Sequence, residues 1–300
     1  MTDRSSSDLL TQYKAISSKL KKKFSRKSNV SEPNDQFAAQ CEKSELPQYA
    51  ALKWLAVAKN EASLGHTNEE AIALLKAGRL FLEAERKNII GCDENLKGAM
   101  TCFNQVEKLW GDENPLTAAL CLEIGTAMES IDPHRAVLYF EKAVLLMNHC
   151  PHLHLQALKK LSSAKVATGD FHGALTAFTA IVNVVNKITS SPFGVYKDIL
   201  LRCEISRVLL ILILQPTPQN IPLDLQKFIE KYTWIGEPDT VTVSWIGEEL
   251  FFLLQSLVMA CQCQDLEAVH DLENDLWRYF SNEQKGMLNS IIQIMENSEK

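Results

Sequence analysis

The sequence predicts an all-α protein in which antiparallel helix pairs repeat along the chain. Gly (12) and Pro (10) are sparse among the 300 residues, which favours long helices over a turn-rich β structure. Apolar residues recur at spacings of three and four in several stretches, which is the period of one helix face. A three-residue signature also recurs at intervals of 37 and 38 residues, and such a period indicates a helical-repeat array.

The repeated signature is a small residue, an aromatic residue four positions later and an apolar residue three positions after that. Its copies are Ala99-Phe103-Val106, Ala136-Phe140-Ala143 and Ala174-Phe178-Ile181, with a weaker copy in Ala71-Leu75-Gly78. This is the second-helix pattern of tetratricopeptide repeats, which have a usual period of about 34 residues. The first-helix Trp is absent and the period is longer, so we predict a tetratricopeptide-like helical-repeat solenoid with lengthened helices over residues 47–188.

The most apolar stretch of the chain follows these repeats. Seven consecutive apolar residues run from Val208 to Leu214, and Gln215 and Pro216 end them. A membrane span needs about 20 apolar residues, so this run is too short to cross a bilayer. A buried strand would also accommodate it, because periodicity alone does not assign a short apolar run. The helical neighbours on both sides favour a buried helix that begins near Val195.

Residues 195–300 are predicted to form C-terminal helices around one loop. Helices are expected at 223–232, 247–260, 265–280 and 282–295, and a loop is expected near 234–245, where Gly, Pro and β-branched residues concentrate. Residues 1–7 are polar and are expected to form a disordered tail. The remainder, 8–300, is expected to form a single elongated domain.

An amphipathic basic helix is predicted over residues 8–30. Its apolar face is formed by Leu9, Tyr13, Ile16, Leu20 and Phe24. Its other face includes Lys19, Lys22, Lys23 and Arg26. Such a helix binds an anionic membrane, enters a groove of a partner, or packs on its own core. The basic run also matches an unspecific nuclear-localisation signal.

Charge is distributed unevenly between the two ends of the chain. The formal net charge is −6, yet residues 1–30 hold eight basic and two acidic residues, a net charge of +6. Residues 232–300 hold three basic and twelve acidic residues, a net charge of −9. This asymmetry predicts two different contact surfaces. The acidic overall balance also argues against nucleic-acid binding.

The sequence gives no indication of catalysis or of a bound cofactor. It lacks the glycine-rich phosphate loop, the nucleophile elbow and the zinc-protease motif. The one cluster of metal-ligand types is His149-Cys150-Pro151-His152-Leu153-His154, which is either a metal site or an ordinary turn between helices, and the turn is favoured. The eight Cys residues show no paired CxxC spacing, and we interpret them as reduced thiols in a cytosolic or nuclear protein.

Five blocks of the sequence resemble the 40-kDa huntingtin-associated protein family, in an invertebrate-type form. They are YKAISSKLKKKFSRKSNVSEPNDQF (13–37), GALTAFT (173–179), RCEISRVLLILILQP (202–216), EKYTW (230–234) and EELFFLLQSLVMA (248–260). The chain departs from the vertebrate pattern because it lacks an Ala/Gly-rich leader and, at 188–196, a long Pro-rich insertion.

The resemblance implies a non-catalytic scaffold that binds huntingtin, a large HEAT-repeat protein, in a one-to-one complex. It also implies a link to early endosomes through a Rab-family GTPase, with a cytoplasmic location and a nuclear pool. The expected contact residues are Lys19, Lys22, Lys23, Arg26, Phe251, Leu254, Asp271, Asp275 and Trp277, of which Phe251, Leu254 and Trp277 are expected to be exposed. The alternatives are a vesicle-trafficking adaptor of the soluble attachment-protein type that contacts acidic membranes directly, and an enzyme that uses the His149–His154 cluster.

Overall fold

The computed structural model describes residues 47–87, 94–111, 114–190, 193–216, 223–232 and 246–298. Every regular element in these ranges is a helix, and consecutive helices pack as pairs. The predicted all-α, tetratricopeptide-like class of antiparallel helix pairs is therefore confirmed. The predicted tail 1–7, the basic helix 8–30 and the loop 234–245 lie outside the described residues.

Twelve helices lie in the described ranges. They are α1 Pro47–Leu64, α2 Thr67–Lys87, α3 Glu94–Trp110, α4 Pro115–Met128, α5 Pro133–Leu146, α6 Pro151–Ala167, α7 Phe171–Ile188, α8 Val195–Leu214, α9 Leu223–Glu230, α10 Glu248–Gln262, α11 Leu266–Leu276 and α12 Asn282–Ser298. The chain divides into two compact units, and the boundary after Thr117 falls within the first turn of α4. The prediction of a single elongated domain over 8–300 stays a prediction.

In the first unit, α2 packs against both α1 and α3. The repeat residue Phe103 of α3 is fully buried, and its ring lies directly on Gly78 of α2. A Cβ atom at Gly78 would come within 2.7 Å of Phe103 Cε1, so only glycine permits this approach. The small position Ala99 is also fully buried. The repeat signature therefore marks a real helix–helix contact.

The second unit repeats this contact between α4 and α5. Phe140 is fully buried, and a Cβ at Gly125 would come within 2.6 Å of its Cε1 atom. Helix α5 begins with Pro133, whose missing N–H group is not needed in the first turn. The N-cap Asp132 accepts a hydrogen bond from the Arg135 amide at 3.2 Å, which satisfies one of the unpaired amides of the helix start.

The turn between α6 and α7 contains a glycine and a capping aspartate. Gly169 has a φ of +78°, a left-handed conformation that glycine adopts without strain. Asp170 then caps α7 by accepting a hydrogen bond from the Gly173 amide at 2.9 Å. These two residues end one helix and begin the next, so α6 and α7 form a tight pair.

Helix α8 lies at the centre of the second unit. Every residue from Cys203 to Leu210 is buried, and the apolar ones join a core with Phe178, Leu254 and Leu288. The prediction of a helix over 195–214 is confirmed. Burial is not uniform, however, because residues 211–214 at the end of the apolar run are only half-buried. The helix ends at Gln215, which has a φ of +43°, and Pro216 prevents its continuation.

Candidate interaction surfaces

Helix α10 carries an exposed stripe that includes two large apolar side chains. Phe252 is 58% exposed and Met259 is 43% exposed. Ser256 and Cys263 are exposed at the intervening and following positions, so the four residues lie at i, i+4, i+7 and i+11 on one face of the helix. We call this set the α10 stripe. Because aromatic residues and Met are enriched at the centres of protein interfaces, this stripe is a candidate contact surface.

The opposite face of α10 is part of the core. Leu250, Leu254 and Leu257 are buried there, and Leu254 is 0% exposed. The expected exposure of Leu254 is therefore wrong, because its place in the helix turns it towards α8. Phe251 is half-buried, and its ring centroid lies 5.3 Å from that of Tyr232. The sequence analysis missed Phe252, which lies two residues from both Leu250 and Leu254 and therefore on the opposite face of the helix.

Helix α11 carries an exposed acidic stripe. Glu267, Asp271 and Asp275 are all exposed and follow one another at intervals of four residues, so they lie on one face. Glu267 lies in the first turn, where the helix dipole favours a carboxylate, and Asp265 caps the helix by accepting a hydrogen bond from the Ala268 amide at 3.0 Å. We call Glu267, Asp271 and Asp275 the α11 stripe. Two of its members are contact residues that the sequence predicted.

Trp277 lies at the C-terminal end of α11 and is 44% exposed. The Lys285 ammonium lies 4.4 Å from the centroid of the indole ring, which is a cation–π contact within the molecule. The Lys285 side chain of α12 thus covers part of the indole ring, and the rest of the ring is accessible to solvent. The expected exposure of Trp277 agrees with the structure, and its role in a contact stays a prediction.

The α10–α11 hairpin is closed at both ends. A short turn joins the helices at Cys263–Asp265, and at the other end Glu249 accepts hydrogen bonds from Arg278 and from the Tyr279 hydroxyl, the latter at 2.8 Å. The hydrogen bond to the Glu249 carboxylate is the main cause of the raised pKa of Tyr279, and burial raises it further. The two stripes therefore lie on helices that are fixed to each other.

A buried polar cluster attaches the short helix α9 and the Tyr232 that follows it to α8. The Tyr232 hydroxyl donates a hydrogen bond to Glu204 Oε1 at 3.0 Å, and both residues are 2% exposed. Arg207 Nη1 lies 3.9 Å from Glu204 Oε2, and the Arg207 guanidinium stacks 4.0 Å from the centroid of Phe228. Lys231 Nζ lies 3.9 Å from Glu204 Oε1 at the edge of the cluster.

Burial determines the proton affinities in this cluster. Desolvation raises the pKa of Glu204, although the charges of Lys231 and Arg207 and the Tyr232 hydrogen bond act in the opposite direction. Desolvation and the neighbouring Glu204 likewise raise the pKa of Tyr232, so its hydroxyl remains a donor. The cluster therefore holds two elements together and is inaccessible to a ligand.

The candidate metal cluster does not assemble in the structure. His149 lies in the turn before α6, and His152 and His154 lie in the first turns of α6. His152 Nδ1 lies 3.1 Å from the Tyr196 hydroxyl, and His154 Nδ1 lies 3.0 Å from the Val144 carbonyl oxygen. Among the described residues, no three His, Cys, Asp or Glu side chains come together as metal ligands would.

Three of the cysteine thiols are poor nucleophiles. Burial raises the pKa of Cys102 and of Cys261 to about 11, and that of Cys203 to about 12. A thiol with so high a pKa is protonated at neutral pH and is a poor nucleophile.

Four of the predicted contact residues, Lys19, Lys22, Lys23 and Arg26, lie outside the described residues, so they stay predictions. Of the helices that the structure describes, none is both long enough and apolar enough to span a bilayer.

Two mammalian proteins are similar to the chain over nearly its whole length. The 40-kDa huntingtin-associated protein of Mus musculus is 32% identical in an alignment 353 residues long, and this alignment covers 95% of this chain and 92% of the relative. The protein of the same name from Rattus norvegicus is 31% identical over the same shares of both chains. No protein-family model matches. Identity at this level over almost the entire length shows that the chain belongs to the 40-kDa huntingtin-associated protein family.

Proposed function

We propose that this chain is a non-catalytic scaffold that binds huntingtin, a HEAT-repeat protein, in a one-to-one complex. The observation that carries the proposal is the similarity of almost the whole chain to two relatives whose names state an association with huntingtin. The fold supports it, because helical repeats present extended surfaces to protein partners.

The α10 and α11 stripes are the surface that we assign to this contact. Aromatic residues and Met are enriched at the centres of protein interfaces, and Phe252, Met259 and Trp277 combine this chemistry with exposure. The carboxylates of the α11 stripe lie on the next helix of the hairpin and favour a partner surface with basic residues. An apolar patch with a basic rim on the partner is therefore the expected counterpart.

Co-expression tests the complex itself. The full chain is expressed alone and together with full-length huntingtin of the same organism, and both preparations are run on a size-exclusion column. We expect stoichiometric co-elution with huntingtin. A chain that elutes as a monomer in the presence of huntingtin would overturn the scaffold proposal.

A matched pair of double variants tests the α10 stripe. Phe252→Glu with Met259→Glu places two charges on the stripe, and we expect at least a tenfold loss of affinity for huntingtin. Leu138→Glu with Leu145→Glu is the control, since these two residues have the same seven-residue spacing and are 63% and 76% exposed on α5. Equal binding by both variants would remove the stripe from the interface.

Charge reversals test the electrostatic contribution to binding of huntingtin. Asp271→Lys with Asp275→Lys is expected to weaken the complex and to reduce its salt dependence, because the reversed charges no longer attract a basic partner surface. Lys22→Glu with Lys23→Glu tests the basic segment in the same way. Unchanged complex formation across a salt titration would exclude the pair concerned from the contact.

We extend the proposal to a cytoplasmic protein that reaches early endosomes through a Rab-family GTPase and also has a nuclear pool. Its support is the family membership alone. Binding of the purified complex to an early-endosome Rab in its GTP-analogue form, but not in its GDP form, is the expected result. Co-sedimentation of the chain with acidic liposomes in the absence of any Rab would favour direct membrane contact instead.

A further inference from the structure

A groove runs along one face of α6, within the second unit. Its volume is about 780 Å³, and its walls come from α5 and α8 through residues such as Pro133 and Ile199. His152, Gln156, Lys159 and Ser163 line it at i, i+4, i+7 and i+11 of α6, so they form one continuous face of that helix. None of its residues belongs to the α10 or α11 stripe.

Four side-chain contacts fix the shape of the groove. Lys160 Nζ bonds to Glu129 Oε1 at 3.1 Å, which ties α6 to the end of α4. Arg202 Nη2 bonds to Glu283 Oε2 at 3.0 Å, and the Ser163 hydroxyl donates to the same oxygen at 2.9 Å. The His152–Tyr196 contact ties the N-terminal end of α6 to α8. These contacts fix the helices that form the walls relative to one another.

The groove carries an excess of positive charge. Of its three cations, Lys160 and Arg202 each lie beside a carboxylate, whereas Lys159 lies within ion-pair distance of no acidic residue among those the structure describes. Lys159 is exposed and stands at the middle of the α6 face. An exposed Gln156 one turn away offers both a donor and an acceptor.

The far end of the groove is small and apolar. Ala164 and Ala167 line it at the C-terminal end of α6. Alanine side chains allow the backbone of a bound chain to approach the helix closely. The groove thus combines a surface for main-chain contact with a single uncompensated cation.

We propose that this groove binds an extended acidic peptide segment of a partner protein, with a carboxylate of the peptide on Lys159. Helix α6 has 17 residues and is about 25 Å long, which accommodates roughly seven residues of extended chain. Charge complementarity selects carboxylates, and the Gln156 amide forms hydrogen bonds with the peptide backbone. The proposal goes beyond the huntingtin complex and does not depend on it.

A peptide selection on the full chain tests the proposal. A phage library of random dodecapeptides is selected on the wild-type chain, and recovered sequences are synthesised with a fluorescent label for polarisation measurements. We expect enriched peptides that contain several Asp or Glu residues. Lys159→Glu is expected to weaken their binding at least tenfold, whereas Lys187→Glu, an exposed lysine on α7 outside the groove, should change it less than twofold.

A second variant distinguishes binding in the groove from general attraction between opposite charges. Gln156→Trp leaves the net charge unchanged and fills the groove, so it should also weaken binding at least tenfold. The proposal is overturned if no groove-dependent peptide is recovered, if the enriched peptides are not acidic, or if Lys159→Glu and Lys187→Glu bind equally. It is also overturned if a 12-nucleotide RNA binds more tightly than every selected peptide and loses binding in Gln156→Trp, since the ligand would then be a polyanion.

Discussion

The α4–α5 contact and the contact of α8 with α9 and Tyr232 bury side chains of opposite chemistry. In the first, the Phe140 ring lies on Gly125 and the interface is apolar. In the second, Glu204, Arg207 and Tyr232 are buried together and joined by a hydrogen bond and ion pairs. The first contact depends on shape, and its residues need only be small or aromatic. The second depends on each polar group having its partner.

The difference predicts how each contact responds to substitution. An apolar contact loses stability when volume is removed or added. A buried polar contact loses stability when one partner is removed and the other is left unsatisfied. The four predictions below test this division, and all are measured as changes in the free energy of unfolding by urea denaturation.

The largest effect is expected from Phe140→Ala. Removing this fully buried ring leaves a cavity against Gly125, and we expect a loss of about 3–5 kcal/mol. Phe193→Ala is the control, because Phe193 is 88% exposed and its removal should change stability little. Similar losses for the two variants would mean that Phe140 does not form the core of this repeat.

Gly125→Ala tests the same contact by adding volume. The new Cβ would lie 2.6 Å from Phe140 Cε1, so the ring must shift, and we expect a loss of about 1–3 kcal/mol. At Gly286 in α12 an added Cβ meets no atom within 4 Å. Gly286→Ala is therefore expected to be neutral or stabilising by up to about 1 kcal/mol, because alanine has the higher helix propensity. A neutral Gly125→Ala would contradict the close approach.

Tyr232→Phe tests the polar contact while keeping the ring. The change removes the donor to the buried Glu204, and we expect a loss of about 1–2 kcal/mol. Tyr279→Phe is the matched control, since it also removes a hydroxyl that donates to a glutamate, but at the surface. We expect a clearly smaller loss there, and equal losses would show that burial is not what gives the Glu204 contact its importance.

The smallest effect is a pH dependence at Glu204. Its pKa in the folded chain is raised from the ordinary value of 4.5, chiefly by desolvation, so the folded state binds more protons than the unfolded state between those two pKa values. This carboxyl therefore contributes a loss of stability as pH rises from about 4.5 to its raised pKa. The Glu204→Gln variant should lack this loss of stability with rising pH, whereas the control variant Glu129→Gln, changed at the surface, should still show it. A steeper fall in the Glu204→Gln variant than in the wild-type chain would contradict the assigned sign.

The repeat contacts were partly predictable from the sequence because their signal is local. Ala136 and Phe140 lie four residues apart on one helix, and their spacing alone predicted a buried face. Their glycine partners were not predicted, since Gly78 precedes Phe103 by 25 residues while Gly125 precedes Phe140 by 15. The distance along the chain between the two sides of a contact depends on helix and turn lengths, which vary from repeat to repeat.

The polar cluster and the exposed surfaces were less accessible to sequence analysis. Glu204 and Tyr232 are 28 residues apart, and Gln284 Nε2 donates to Ser206 Oγ across 78 residues, so no local pattern connects them. On α10, periodicity identified an apolar helix, but the sequence analysis expected Phe251 and not the adjacent Phe252 to be exposed. The structure assigns that position to Phe252, because Leu250, Leu254 and Leu257 determine the side that packs on α8.

The closure of the α10–α11 hairpin at Glu249 has a consequence for the kinetics of partner capture. Helices that are held together before an encounter lose little conformational entropy when a partner arrives. Association is then limited by diffusion and orientation, and not by a folding step in the hairpin. Loss of the Glu249 contacts with Arg278 and Tyr279 would loosen one end of the hairpin. The proposed complex would then form more slowly even though no residue of the α10 or α11 stripe had changed.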